Sequence, residues 1–219
     1  MRKYFKYVLY LIVLIQLNTV HAGAFDDFFR AVKNDDASTV KNLLQRGLDP
    51  NTRDETGQHG LFIALRESSL KAAKTLIDWP KTDLNAANKA NETPLMMAVL
   101  KGQVAMAAAM LAKEADVNKP GWAPLHYAAT AGHIELITLL LENHAYIDAE
   151  SPNGSTPLMM AAQYGTASAV KLLLEEGADP LLKNQLGLTA IDFARRADRA
   201  DSAEMIGAFV RAKQPKGAW

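Results

Sequence analysis

From residue 59 onward the chain alternates short apolar runs with short polar ones, and one apolar phrase keeps returning. It reads His59-Gly60-Leu61-Phe62-Ile63-Ala64, Thr93-Pro94-Leu95-Met96-Met97-Ala98, Ala123-Pro124-Leu125-His126-Tyr127-Ala128, Thr156-Pro157-Leu158-Met159-Met160-Ala161 and Thr189-Ala190-Ile191-Asp192-Phe193-Ala194. The starts at 59, 93, 123, 156 and 189 are 34, 30, 33 and 33 residues apart, so five copies hold register over 130 residues. Each copy predicts the start of a short helix. A threonine side chain accepts from a backbone N–H left unpaired at the helix start, and a following proline has its φ preset where no donor is needed. Gly102, Gly132 and Gly165 stand where these helices should stop, in the left-handed conformation that glycine tolerates. A second helical pattern follows each glycine, clearest in Ile134 to Leu141 and Ala169 to Leu174, and ends in Asn143-His144-Ala145 or Gly177-Ala178-Asp179. Neither helix is long enough to be stable alone. The pattern therefore predicts helix, turn, helix and projecting connector, repeated so that each unit buries its apolar faces against its neighbours.

This arrangement resembles the ankyrin repeat family, whose T-P-L-H-x-A phrase and 33-residue period match the residues quoted. The resemblance implies an all-α solenoid of stacked helix-turn-helix units joined by short β-hairpin or loop connections. About six units are expected within 25–213, at 25–51, 52–84, 85–117, 118–147, 148–180 and 181–213, with a tail at 214–219. Several positions depart from the family pattern. The threonine cap is absent at His59 and Ala123, and the motif histidine is kept only as His126, with Phe62, Met96, Met159 and Asp192 in its place elsewhere. Hydrogen bonding through that histidine should accordingly be sparse. Asn91 stands where the connector glycine is expected, and asparagine also visits the left-handed region. The linker Lys119-Pro120-Gly121 is three residues short, which predicts a stunted connector, and Trp79-Pro80 replaces the usual glycine after a second helix.

Composition changes this picture at the N-terminus. Arg2, Lys3 and Lys6 precede an apolar run from Tyr7 to Leu17, and Ala22 and Ala24 follow with small-residue spacing suited to signal peptidase, so residues 1–24 read as a cleavable signal peptide. The run is short of the roughly 18 residues of a membrane span; an uncleaved anchor is the alternative. Export to the periplasm or beyond as a soluble protein is expected, without membrane insertion after cleavage. Removing three basic residues from 24 basic and 24 acidic leaves 21 against 24, or net −3, which offers no clustered basic surface for nucleic acid. The absence of cysteine excludes disulfides, a thiol nucleophile and cysteine-based zinc sites.

Candidate chemistry is thin. No two histidines share a helical face at metal-ligand spacing, since Gly132 separates His126 from His133; no G-x-S-x-G elbow or phosphate-cradling glycine loop occurs. Asp26-Asp27 and Asp35-Asp36 fall at helix ends, where carboxylates complement the dipole or a turn. Met96, Met97, Met159 and Met160 lie inside the repeated phrase, which favours packing. No cofactor, metal or catalytic residue is expected. The family resemblance implies protein recognition through connector tips and the exposed side of the first helices. Carried over position by position, it marks Glu55, Arg66, Lys89, Leu100, Lys101, Trp122, Thr130, Asn153, Gln163 and Tyr164. Binding is expected to centre on Trp122, Leu100 and Tyr164, with Glu55 and Lys101 tuning specificity, in a monomer. An envelope protein needing a scaffold is the first partner class, and a secreted toxin neutralised by an immunity protein is the alternative; Trp122 either binds or fills the space left by the short connector.

Overall fold

The computed structural model describes residues 23–213, and among them every regular element is a helix. In chain order these are α1 (residues 23–33), α2 (Ala37–Gln45), α3 (Gly60–Arg66), α4 (Leu70–Asp78), α5 (Pro94–Leu100), α6 (Val104–Leu111), α7 (Pro124–Ala131), α8 (Ile134–Glu142), α9 (Pro157–Gln163), α10 (Ala167–Glu175), α11 (Ala190–Arg196) and α12 (Ala200–Lys213). The expected signal segment lies outside the described residues up to residue 22, and Gly23 and Ala24 begin α1. The 214–219 tail also lies outside them.

The backbone forms two compact units, one ending at Lys89 and the other starting at Ala90. In the first, α4 packs against α2 and α3, and the fully buried Phe28 of α1 lies over Gly60, where a Cβ would come within 2.6 Å of its ring. In the second, α5, α7, α9 and α11 pack in series, α6, α8, α10 and α12 form a parallel series, and each first helix packs on its own second helix. This is the stacked helix-turn-helix solenoid expected from the period. Its core is the repeated phrase itself, with Leu95, Leu125 and Leu158 no more than 1% exposed, together with Leu136, Ile137, Leu140, Val170 and Leu173 from the second helices. Each such side chain contributes roughly 1.5–3 kcal/mol on leaving water.

In four of the five copies the slot of the motif histidine holds a hydrogen-bond acceptor of one kind or another, Phe62 being the exception. The N–H of the residue before the helix donates to His126 Nδ1 at 3.1 Å from Ala123, to Met96 Sδ at 3.3 Å from Thr93, to Met159 Sδ at 3.4 Å from Thr156, and to Asp192 Oδ2 at 2.9 Å from Thr189. Imidazole, thioether and carboxylate thus satisfy one orphan donor at the helix start. Thr93 and Thr156 return the bond, their hydroxyls accepting from the N–H groups of Met96 and Met159. Thr189 does not, because its hydroxyl donates to Asp192 instead.

Left-handed residues punctuate the repeats. Asp35, Ser68, Gly102, Gly132 and Asp198 follow the first helices with φ between 54° and 70°. Gly47, Glu114, His144 and Gly177 follow the second helices with φ of 96°, 62°, 66° and 104°. Asn91 adopts φ 62° as its residue type predicts. Gly165 corrects the expectation, since it has no positive φ. A Cβ there would collide with the carbonyl oxygen of Ala129 on the neighbouring first helix and stand 2.9 Å from Ala161 Cα. Glycine is needed at that point for close helix approach. At Trp79 the backbone is extended (ψ 125°), as a residue before proline must be, and α4 stops there.

No β-hairpin forms among the described residues; one isolated antiparallel bridge, Arg53 to His59, is all that remains of the hairpin alternative. The reason is local. Three connector tips close on themselves: the first residue's N–H donates to a carbonyl four residues on and its carbonyl accepts an N–H three residues on. These are Asp54 with Gln58 (2.8 Å) and Gly57 (2.9 Å), Ser151 with Ser155 (3.0 Å) and Gly154 (2.8 Å), and Asn184 with Leu188 (3.0 Å) and Gly187 (2.8 Å). The same residue's side chain accepts the fifth residue's N–H, at 2.9, 2.9 and 3.0 Å. The tip is a pinned turn with no strand left to extend. The short connector at Lys119–Trp122 lacks this residue and this closure.

Candidate protein-binding surface

The expected recognition residues divide between the two units. In the first, Glu55 is exposed on the tip closed by Asp54, and Lys89 is exposed with its stem lying over Gly57. Arg66, half-buried at the end of α3, donates to Glu67 at 2.9 Å and to Gln58. Its guanidinium is engaged within its own repeat.

In the second unit Leu100, Thr130 and Gln163 stand at the same place in successive first helices, six residues after each helix begins, with Lys101 and Tyr164 one residue further. Leu100 is 37% exposed and Tyr164 56%. The Thr130 hydroxyl donates to His126 O at 2.7 Å, so it serves its own helix. Trp122 and Asn153 lie on connectors at the opposite end of these helices; the eight residues of α7 span about 12 Å. Trp122 and Tyr164, expected as neighbouring anchors, therefore sit at two ends of the helix row. Asn153 holds its tip together, its Oδ1 accepting from the Ser151 hydroxyl at 2.6 Å and its carbonyl from Gln185 N at 3.0 Å.

Trp122 both packs and faces outward. It stays 36% exposed while its ring meets that of His126 edge-on, with centroids 5.3 Å apart and planes at 77°. The imidazole beneath is fully buried and bonded at both nitrogens: Nδ1 accepts from Ala123, so Nε2 carries the proton and donates to Ser155 O at 3.0 Å. Burial holds the His126 pKa below the usual histidine value. Beside it, Tyr127 donates to Glu92 at 3.2 Å, and burial followed by the Glu92 charge pushes its phenol up to about 12.

Sequence reasoning missed several groups. His59, three residues ahead of the motif slot, is fully buried and reaches Ala86 O at 2.7 Å, tying two connectors as His126 does. Asp35 caps a helix in the next repeat, accepting from Lys71 N at 2.8 Å and Ala72 N at 2.9 Å, while Asp36 caps its own α2 through Thr39 N at 3.0 Å. Hydrogen bonds from the Ser38 and Thr39 hydroxyls hold the Asp36 carboxyl down at about 2. Leu186, Tyr146 and Leu181, at 77%, 69% and 62% exposed, exceed every apolar residue of the expected set. Their signal was an apolar residue in a connector where other repeats carry polar ones. An apolar groove of about 570 Å³ also runs between α10 and α12, lined in part by Leu174, Met205 and Phe209.

Catalytic chemistry finds no constellation here. Among the described residues no group of three or more His, Asp or Glu side chains is gathered as a metal would need. Of the groups with shifted pKa values, His59 and His126 are accounted for by burial and Asp36 and Asp192 by capping. No helix among the described residues is long and apolar enough to cross a membrane.

Known proteins agree with this geometry. The family model for ankyrin repeats (3 copies) matches residues 28–120, 61–151, 108–184 and 125–208. A putative ankyrin repeat protein of Escherichia coli, YahD, is 27% identical over 190 residues, covering 82% of this chain and 94% of the relative. Mouse ankyrin repeat and SAM domain-containing protein 6 is 30% identical over 154 residues, covering 70% of this chain but only 14% of that much longer protein. Among solved structures, the complex of the predatory endopeptidase Bd0816 of Bdellovibrio bacteriovorus with immunity protein Bd3460 contains a similar chain. The likeness has a TM-score of 0.72 at 30% identity and covers 83% of this chain and 97% of that one. The phrase, the period, the stacked helix pairs and these matches make one case: the chain belongs to the ankyrin-repeat family.

Proposed function

We propose that this chain is an immunity protein, an ankyrin module that binds and neutralises a secreted or envelope endopeptidase. The observation that carries the reading is the likeness to one chain of a peptidase–immunity complex, covering 97% of that chain and 83% of this one. We read that chain as the immunity partner, because the matched fold is stacked helix pairs and this chain's own repeats hold no catalytic constellation. The likeness favours neutralisation over the envelope scaffold that the sequence suggests first. Six repeats over 25–213 carry the recognition residues, Leu100, Lys101, Trp122, Gln163 and Tyr164 in the second unit and, separately, Glu55 and Lys89 in the first. Thr130, Asn153 and Arg66 support them through the bonds described above. Export through residues 1–24 puts a monomeric inhibitor in the compartment its own cell's peptidase crosses.

The test is titration of the purified chain into the secreted and periplasmic protein fractions of the source cells, with casein hydrolysis and gel zymography as readouts. A peptidase band that disappears at a molar equivalent of the chain, and is retained on the immobilised chain, is the expected result. Casein hydrolysis unchanged at saturating chain would refute the reading. Assay of the chain alone should give no hydrolysis.

A further inference from the structure

Resting on the immunity reading, we infer that the connector Lys119–Trp122 is the element that anchors the endopeptidase, with Trp122 as a preorganised plug for an apolar pocket on the enzyme and His126 as the residue that positions it. Three other tips are pinned by a side chain at their base, Asp54, Ser151 or Asn184, which accepts the N–H four residues on. The three-residue deletion removes that group from this connector. What replaces it is rigid by other means. Pro120 has its φ preset, and Gly121 turns the chain with φ 80° and lies against the Pro152 ring. Trp122 then rests on an imidazole that is fully buried and held at both nitrogens by backbone.

The result is an indole with one edge fixed and about a third of its surface in solvent. The same slot in the other second-unit repeats holds Glu92, Ser155 and Leu188, of which Ser155 is buried and Glu92 is engaged by Tyr127. An aromatic side chain that is already immobile loses little conformational freedom on binding, and such residues dominate interface energetics. Leu186, Tyr146 and Leu181 are more exposed, but no ring contact or side-chain bond among those described braces them, so ordering them on binding is more costly. The partner surface that fits is an apolar pocket deep enough for an indole, rimmed by a carbonyl or carboxylate oxygen to accept the ring N–H.

The test uses the full chain and the peptidase retained on the immobilised chain and inhibited by it. In a Trp79→Phe, Trp219→Phe variant, Trp122 is the sole indole and is itself unaltered. Formation of the inhibited complex should shift its emission to the blue and shield it from acrylamide. Trp122→Ala should weaken inhibition by ~30-fold or more, the effect expected of an anchor residue. Trp122→Phe, which keeps a ring against His126 and so controls for folding, should weaken it by less while melting close to the parent. Inhibition with unchanged Trp122 emission, or equal inhibition by Trp122→Ala, would overturn the anchor and leave the immunity reading standing. If no peptidase is inhibited by the parent chain, the immunity reading fails and the anchor with it.

Discussion

Replacing Asp148 with asparagine should stabilise the protein, for a reason visible in two other repeats. Asn51 donates its amide to Lys81 O and accepts from Asp83 N, both at 2.8 Å; Asn118 does the same with His144 O and Tyr146 N, again both at 2.8 Å. Each asparagine thereby clasps the next repeat by two backbone groups two residues apart. Asp148 occupies the same place and keeps half of the clasp. Its carboxylate accepts Asp179 N–H at 3.1 and 3.2 Å but, when ionised, has no hydrogen for the carbonyl of Gly177. Burial, and then the charge of Asp179, raise the Asp148 pKa above the ordinary 3.8. An amide restores the missing donor and removes a half-buried charge. One added hydrogen bond is worth about 1 kcal/mol, and for a chain of this size that is roughly 2–4 °C in Tm. The pH dependence has a fixed sign. With the folded pKa above the unfolded one, the favourable contribution of Asp148 is full below about pH 3.8 and is lost as pH rises through the raised value. The advantage of Asp148→Asn should therefore be small near pH 3, where the protonated acid can itself donate, and complete at pH 7. Thermal unfolding by circular dichroism at both pH values decides it. A variant that melts no higher than the parent at pH 7, or whose gain is the same at both, would refute the clasp.

Three further outcomes follow from the backbone and the buried rings. Gly165→Ala should cost about 1–3 kcal/mol in urea unfolding, because its Cβ meets the Ala129 carbonyl of an adjacent helix with no side chain to give way. Glu114→Gly should raise stability by about 1 kcal/mol by relieving a left-handed glutamate (φ 62°) on an exposed turn, less what a freer unfolded chain takes back; no rise in Tm would count against that strain. His59 and His126, both lowered by burial, should make stability full above the ordinary 6.5 and lost as pH falls through their lowered folded values. A melting temperature flat from pH 7 to 5 would contradict neutral imidazoles in these sites.

Much of the fold could be read from letters because the repeat imposes one backbone geometry at many places. Thr93 and Thr156 cap as their residue type predicts, and Gly102 and Gly132 turn left-handed where the period puts them. The failures share a cause, which is that one letter serves two physical demands. Gly165 looks like its two counterparts but is there for want of a Cβ; Asp35 looks like a partner of Asp36 but caps a helix 36 residues away. Ser68, Glu114 and His144 carry no left-handed signature, yet the surrounding bonds force them into it. His59 escaped notice because its tie to Ala86 starts three residues before the motif slot. For the surface, residue type located Trp122, Leu100 and Tyr164 but could not say which polar side chains were already occupied. Thr130 and Asn153 are, and only the hydrogen bonds of the folded chain show it.

The self-closing connector tips have a consequence for how such a protein can change over generations. The bonds that close the tips at Asp54, Ser151 and Asn184 begin and end within five residues, so each tip closes by itself, and ties to a neighbouring tip, as from Gln185 to the carbonyls of Asn153 and Pro152, are added to a turn already formed. Mutation can then rewrite Glu55, Pro152 or Leu186 one tip at a time, each trial leaving the helix stack as it was. The connector at Lys119–Trp122 carries this independence to its limit, since an entire tip has been deleted there while Pro124 and Leu125 beside it remain buried in the core. A lineage whose binding partner changes thus holds a set of separately adjustable contact points on an unchanging frame.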